Sequence, residues 1–165
     1  MALVEGGALA DDTIVAEDAE GRARLAAVRH AIPAAINERV VANRMPKVGT
    51  DFAVPDAALA QMMARYQAVE LPAVLFGHIG DNHLHLNLLP RDAAELKRAR
   101  ALYRTLAEYA VSLGGTVSAE HGIGKIKRAL LAEMVGPDTL RQFQALKRAV
   151  DPAGILGQGT MFEGG

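Results

Sequence analysis

Four of the five histidines in this 165-residue chain fall in two short segments flanked by glycine. The first segment, residues 77–87, reads GHIGDNHLHLN, and the second, residues 118–124, reads SAEHGIG. Neutral imidazole and carboxylate groups are the ligands of zinc, manganese, cobalt and iron sites that keep open coordination positions. The clustering therefore predicts a metal centre built from both segments.

The first segment has the pattern of a β-hairpin. Apolar runs at 73–76 and 84–89 predict two strands, and the Gly-Asp-Asn sequence at 80–82 predicts the turn between them. If a four-residue loop is centred on the peptide bond after Asp81, His78 faces His85 on the other strand. Directly opposed residues have Cβ atoms ~4.5–5.5 Å apart, which suits two imidazoles that converge on one ion.

Alternation along the second strand separates a polar face from an apolar one. His83, His85 and Asn87 share one face, while the intervening leucines point to the other face and the core. The polar face is therefore expected to hold the site. For His83 two alternatives stay open, an auxiliary role in the site or a position facing solvent beside it.

The second segment is expected to supply a carboxylate. Residues 116–118 predict a short strand, and Gly122 and Gly124 permit a tight path into a helix that begins near Lys125. Glu120 and His121 then lie at a strand-to-helix corner. We expect His78, His85 and Glu120 to be the metal ligands, and His121 to remain unligated as a general base.

Each of these histidines taken alone would more commonly be a hydrogen-bonded structural residue. It is their grouping with an acid and with turn glycines that favours the metal site. His30, by contrast, stands alone in a helical pattern and is expected at the surface.

The two motifs, GH followed by GD and LHLN, with AEHGIG downstream, resemble the C-terminal domain of FAD-linked oxidases that act on D-2-hydroxy acids. That family includes D-lactate dehydrogenases, glycolate oxidase subunits and D-2-hydroxyglutarate dehydrogenases. The resemblance extends from about Arg29 to Phe162 and includes the stretch KVGTDFAVP and the terminal DPAGIL.

The resemblance implies roles for individual residues. It assigns a divalent metal, most simply zinc, with manganese, cobalt or iron as alternatives, to His78, His85 and Glu120. Asn87 and His121 would approach the substrate, and Arg29 and Lys47 would bind its carboxylate.

Two departures from the family pattern are visible. The chain has GDNHLH where the family commonly has GDGNLH, which keeps the ligand spacing but changes the turn at Asn82 and His83. Near the C-terminus, GQGTMF replaces the family's asparagine-proline-glycine-lysine turn, so the lysine expected near the flavin is missing.

The flavin itself is expected to be bound elsewhere. The family's FAD-binding region is a separate domain of ~200 residues upstream. A chain of this length has room for only one domain, so it cannot also contain that region. We therefore expect residues 1–165 to form a single domain, incomplete at its N-terminus. On this expectation the chain would be a fragment, the second half of a split gene, or a truncated relative without redox chemistry.

Composition excludes several other classes. The formal charge is −1 and no basic patch is visible, which argues against nucleic acid as a partner. The absence of cysteine excludes thiolate ligands and disulfides and is typical of a cytoplasmic protein. No apolar run reaches the ~20 residues of a membrane span, and no signal peptide is visible.

The order of predicted elements favours an α+β fold, with an antiparallel sheet covered by helices on one face. Helices are predicted at 20–39, 55–69, 92–113, 125–135 and 137–150, and a short strand at 51–54. The resemblance implies a ferredoxin-like arrangement whose uncovered sheet face meets the flavin domain, or is buried in a homodimer of the isolated chain.

The predicted function is the substrate- and metal-binding part of an FAD-dependent oxidoreductase that acts on lactate, glycolate or 2-hydroxyglutarate. Two alternatives remain open. A standalone hydrolase could use the same ion to activate water, and a non-enzymatic module could bind a metal or a hydroxy acid.

Overall fold

The computed structural model describes residues 14–162, which fall into two compact units. The first unit ends at Arg39 and contains most of helix α1, Ala19–Asn43. The helix predicted over 20–39 is confirmed. The helical spacing of Leu25, Val28, Ile32 and Ile36 predicts one apolar face, of which Ile36 is buried but Val28 is 63% exposed. Helical periodicity fixes which residues share a face, but burial also requires an element that packs against it.

The second unit begins at Val40, and its described residues, 40–162, combine four strands with three α-helices. The strands are β1 (Val48–Gly49), β2 (Phe52–Ala53), β3 (Ala73–His78) and β4 (His83–Leu88). The helices are α2 (Leu59–Gln67), α3 (Ala93–Ser112) and α4 (Arg128–Val150). All pairings between these strands are antiparallel, so the predicted α+β class is confirmed.

Strand β4 is the centre of the sheet. Strand β3 pairs with it along its whole length, so β1 and β2 must share its opposite edge. Both have the same register against β4, because Val48 faces Leu88 and Phe52 faces Leu84. They therefore act as one strand, interrupted at residues 50 and 51, and the backbone N–H of Thr50 donates to the Leu86 carbonyl at 3.0 Å.

The register divides the sheet into two faces. Directly opposed residues share a face, so the leucines of β4 point to the same side as Phe52 and Leu75. This side packs into the core against α3, whose Ala99, Leu106, Ala107 and Ala110 are buried. The other side carries His78, His83 and His85, and is called the histidine face below.

The helices also follow the sequence signals closely. Asp92 caps α3 by accepting a hydrogen bond from the backbone N–H of Glu95 at 2.8 Å. Helix α4 is broken at Gly136, whose φ of 75° is not helical, where the sequence predicts two closing helices. The segment 116–118 forms one bridge from Thr116 to Ala53 rather than a strand. Within residues 14–162, none of the helices has the length and apolar character that crossing a bilayer requires.

Candidate metal centre

The hairpin places its histidines in a different register from the expected one. His78 opposes His83, and Phe76 opposes His85, so the predicted opposition of His78 and His85 is wrong. The loop begins one residue earlier than expected, with a 3₁₀ turn at Ile79–Asp81 that a left-handed Asn82 closes. This change shifts each pairing by two residues, and the side-chain period of two keeps all three histidines on one face.

Gly77, which precedes His78, allows this pairing to be tight. A Cβ atom at this position would clash with the carbonyl oxygen of His83 and lie 2.8 Å from the Cα of Leu84. Its φ of +154° also disfavours other residues. The glycine of the GH pair therefore brings the end of β3 against the start of β4.

His83 and His85 are both buried, and a short hydrogen bond holds one ring nitrogen of each. His83 is 5% exposed, so the alternative that it faces solvent is wrong. Its Nε2 lies 3.0 Å from Oδ1 of Asp51, and Nδ1 of His85 lies 2.9 Å from the carbonyl oxygen of Thr50. A carbonyl oxygen can only accept, so His85 carries a proton on Nδ1, and its lone pair in the neutral ring is on Nε2.

Glu120 lies among three imidazoles. Its Oε2 is 3.3 Å from Nε2 of His85, 3.8 Å from Nδ1 of His83 and 3.9 Å from Nε2 of His121. The side chains of Glu120 and His121 are 49% and 64% exposed, so the site opens to solvent on their side. The two sequence motifs therefore meet at one carboxylate oxygen.

Asp51 organises the site, and sequence reasoning missed it. Its Oδ1 accepts from His83 Nε2 and from the backbone N–H of Glu120, at 3.0 and 3.1 Å. Its Oδ2 accepts from Lys127 Nζ at 2.6 Å, and from Ser118 Oγ and the backbone N–H of His121 at 3.1 Å each. This carboxylate thus ties the AEHG segment to the histidine face.

The pKa of Asp51 reflects these donors. Burial would raise the pKa of this carboxyl, but the hydrogen bond from Lys127, the backbone N–H groups of His121 and Glu120 and the lysine charge together lower it to about 2. Asp51 is therefore ionised at neutral pH. An ionised carboxylate can only accept hydrogen bonds, so Nε2 of His83 donates to it. Burial and the neighbouring His85 lower the pKa of His83, against the attraction of Asp51.

The signal that could have revealed Asp51 is its position at the start of the strand predicted over residues 51–54. It stands between Thr50 and the buried Phe52 in the stretch TDFAVP, where sequence reasoning treated it only as part of a strand. An acid inside a short strand is rarely buried without a partner. Lys127, its ion-pair partner, lies in the turn before α4 and carries no comparable signal.

The other candidate residues lie at different depths. His78 is exposed at the end of β3, with its ring centroid 6.1 Å from that of His83. Asn87 is 3% exposed, on the histidine face, where its Oδ1 lies against Gly49. Lys47 is exposed immediately before β1, and Arg29 is exposed on α1 in the first unit.

The chemistry of the donor set fits a divalent cation. Within residues 14–162, two groups offer one possible ligand atom per residue, all within 4.8 Å of one another. His85 belongs to both groups, Asp51 and His83 complete one, Glu120 and His121 complete the other, and His78 is in neither. The Nε2 lone pair of His85 faces a carboxylate oxygen at 3.3 Å. Two acceptor atoms at that distance repel unless a proton or a cation lies between them.

The chain is similar in sequence to several proteins of known name. The chain is 35% identical over 154 residues to a probable mitochondrial D-lactate dehydrogenase of Danio rerio, covering 90% of this chain and 31% of that protein. It is 32% identical over 118 residues to the glycolate oxidase subunit GlcD of Bacillus subtilis, covering 68% and 25%. It is 29% identical over 170 residues to a D-2-hydroxyglutarate dehydrogenase of Xanthomonas citri pv. viticola, covering 97% and 34%.

The chain thus spans about a third or less of the length of these curated relatives. Residues 1–161 match the model of one family, the FAD linked oxidases, C-terminal domain. The resemblance noted from the two histidine motifs is therefore confirmed, and the chain belongs to the family of the C-terminal domain of FAD-linked oxidases.

Proposed function

We propose that this chain is the substrate- and metal-binding part of an FAD-dependent oxidoreductase that converts a D-2-hydroxy acid to a 2-oxo acid. The observation that carries the proposal is the position of Glu120 Oε2, within 3.9 Å of nitrogens of three imidazoles from both motifs. The family match and the names of the relatives, which specify lactate, glycolate and 2-hydroxyglutarate, support the same reaction class.

A divalent metal would be held by His85 Nε2 and Glu120 Oε2, with His78 as the third ligand that the family resemblance implies. Zinc suits this set, and manganese, cobalt and iron accept the same donors. When bound, such an ion acts as a Lewis acid that lowers the pKa of a coordinated hydroxyl group.

His121 is the general base of this proposal. Its side chain is exposed, and its Nε2 lies 3.9 Å from the proposed ligand atom of Glu120. At that nitrogen it would accept the hydroxyl proton of the substrate, a contribution typically worth ~10²–10⁴-fold in rate. Lys47 would bind the carboxylate by charge, and Asn87 would orient the hydroxyl group.

A domain or subunit outside these 165 residues would bind FAD, which would accept the C2 hydride. Without that partner the chain binds substrate but performs no redox reaction. We place this protein in the cytoplasm, where proteins without disulfides are common. A homodimer would be the alternative way to cover the exposed parts of the histidine face.

The metal and substrate roles are tested on the purified chain. Metal-free protein is titrated with Zn²⁺, Mn²⁺ and Co²⁺ by calorimetry, and the loaded protein with D-lactate, glycolate and D-2-hydroxyglutarate. We expect binding of one metal ion, followed by binding of at least one hydroxy acid. His85→Ala should abolish metal binding, whereas the matched control His30→Ala, at an exposed histidine outside both motifs, should not.

The redox role is tested by co-expression with a flavin-binding domain from one of the relatives. A yellow complex whose flavin is bleached by a D-2-hydroxy acid supports the proposal, and His121→Ala should slow that reduction. Ester or amide hydrolysis by the metal-loaded chain, with no flavin reduction in the complex, would instead favour the hydrolase.

A further inference from the structure

Thr50 lies in the sheet at the point where β1 and β2 are interrupted. The register of both strands against β4 places Thr50 opposite Leu86. Opposed residues that are hydrogen-bonded in an antiparallel sheet normally exchange two backbone N–H···O bonds. The first of these is regular, since the N–H of Thr50 donates to the Leu86 carbonyl at 3.0 Å. The second takes a different path.

The side chain of Thr50 supplies the second bond. The backbone N–H of Leu86 donates to Thr50 Oγ1 at 2.9 Å, and the same hydroxyl group donates to the Leu84 carbonyl at 3.5 Å. Thr50 and Leu86 are each 2% exposed, so this exchange of partners is buried. The hydroxyl oxygen of Thr50 therefore replaces the carbonyl oxygen of the same residue as the acceptor in the ladder.

The carbonyl of Thr50 is thereby left for His85. It accepts from Nδ1 of the ring at 2.9 Å, and this bond leaves the lone pair of the neutral ring on Nε2. That nitrogen lies 3.3 Å from Glu120 Oε2, at the proposed metal centre. A carbonyl that binds one nitrogen of a metal-binding imidazole fixes both its tautomer and the orientation of the ring.

We infer that Thr50 is a positioning residue of the proposed metal centre. Its hydroxyl group takes the place of its carbonyl in the sheet, so that the carbonyl can hold His85 with Nε2 directed at the ion. The inference rests on the proposed function, because it takes His85 as a metal ligand. It requires a hydroxyl group at position 50, which threonine and serine supply and valine, of similar shape, does not.

The matched variants are Thr50→Val, which removes the hydroxyl group, and Thr50→Ser, which keeps it. In Thr50→Val the buried N–H of Leu86 loses its acceptor, and an unpaired buried N–H is costly. We expect the carbonyl of residue 50 to turn back into the ladder and accept from that N–H. Nδ1 of His85 then loses its partner, and the ring can carry its proton on Nε2 and donate to Glu120 instead.

The first readout is the tautomer of His85 in the metal-free chain. Long-range proton–nitrogen NMR in alkaline buffer, where imidazoles are neutral, distinguishes a proton on Nδ1 from one on Nε2. We expect Nδ1–H in the unaltered chain and in Thr50→Ser, and a shift towards Nε2–H in Thr50→Val. A role confined to folding would lower the urea midpoint of Thr50→Val but leave the tautomer unchanged.

The second readout is the affinity for Co²⁺, measured by calorimetry. Thr50→Val should bind Co²⁺ ~10-fold or more weakly, since loss of a group that supports a metal-binding histidine costs ~10–100-fold. Thr50→Ser should bind as the unaltered chain does. The control Thr105→Val, at an exposed threonine of α3 whose hydroxyl group bonds within the helix, should change neither readout.

The outcomes separate this inference from the proposed function. A proton on Nε2 of His85 in the unaltered chain would overturn the inference without any variant. A Thr50→Val protein that keeps Nδ1–H and binds Co²⁺ normally would also overturn it, and the proposed function would then survive. If the unaltered chain binds none of Co²⁺, Zn²⁺ and Mn²⁺, the proposed function fails, and the role of Thr50 in metal binding fails with it.

Discussion

Asp51 and Glu95 are both buried carboxylates whose pKa values are lowered to about 2, but their donors come from different parts of the chain. Glu95 is bound by Arg91, four residues earlier, through its backbone N–H at 2.8 Å and its guanidinium group, and Arg98 lies 3.7 Å away. Hydrogen bonds from Arg91 are the main cause of its lowered pKa.

Asp51 receives its donors from residues 32 to 76 positions away, on β4 and on the segment that precedes α4. The comparison shows that a lowered pKa does not by itself identify a functional site. Glu95 stabilises the first turn of α3, where its partners are local. Asp51 joins three separate segments at the proposed metal centre, so its loss should affect both folding and binding.

Asp51→Asn should give the largest effect. The substitution removes the negative charge that pairs with Lys127. It also replaces one acceptor oxygen by an NH₂ group, which faces other hydrogen-bond donors. Breaking a buried ion pair costs ~3–5 kcal/mol. We expect the free energy of unfolding to fall by about 3 kcal/mol or more in urea denaturation, and Co²⁺ affinity to fall with it. The control Asp138→Asn, at an exposed ion pair, should change stability by less than ~0.5 kcal/mol. If the Asp51→Asn variant were as stable as the unaltered chain, the conclusion that Asp51 organises the site would be wrong.

Lys127→Met should have the next largest effect. The side chain of Lys127 is 13% exposed, and its removal leaves Asp51 with four donors but without a cation. We expect a loss of ~2 kcal/mol, less than for Asp51→Asn because the remaining hydrogen bonds still stabilise the carboxylate. The matched control Lys125→Met, at an exposed lysine two residues earlier, should leave the urea midpoint unchanged. Equal midpoints for the two variants would contradict the ion pair's contribution.

Acid should destabilise the protein through both carboxyls. The pKa of Asp51 is about 2 when folded against 3.8 for the unfolded reference, so its contribution is complete above pH 3.8 and is lost as the pH falls towards 2. At ~1.36 kcal/mol per pKa unit this amounts to ~2 kcal/mol. Glu95 acts with the same sign, between its reference value of 4.5 and about 2. Urea midpoints measured over this range should fall less steeply for Asp51→Asn, and an unchanged slope would contradict the shift.

Of the four changes, Glu95→Gln should have the smallest effect. It tests most directly the difference between Glu95, with its local partners, and Asp51. The amide loses the charge-assisted bonds from Arg91, so stability should fall, by less than for Asp51→Asn. Metal affinity should not change, because the Glu95 carboxylate pairs with Arg91 and Arg98, which lie outside both histidine motifs. Glu108→Gln, at a half-exposed acid of the same helix, is the control. Weaker Co²⁺ binding by Glu95→Gln would show that the two regions are coupled.

Local patterns predicted the helices and the hairpin well. Apolar spacing and the Gly and Pro positions predicted α3, the break at Gly136 and the division of β4 into a polar and an apolar face. These features depend on neighbours within a few residues, which is why they can be recognised in the sequence. The burial of α1 could not be predicted in the same way, and its Val28 is exposed.

The register of the hairpin shows where sequence reasoning stops. Loops over 79–82 and over 80–83 are both compatible with the turn residues, and only the pairing of the two strands selects the former. The position of His83 was left open for the same reason, since alternation gives the face of a residue but not what covers that face.

The amino-acid sequence by itself determined the family, the α+β class and the two motifs that carry imidazole and carboxylate groups. The tertiary structure alone decided that Asp51 is the common partner of His83, Lys127 and the AEHG segment, and therefore which histidine nitrogens are free. Hydrogen bonds between residues more than 30 positions apart depend on how strands and loops pack together, and no local pattern of residues encodes them.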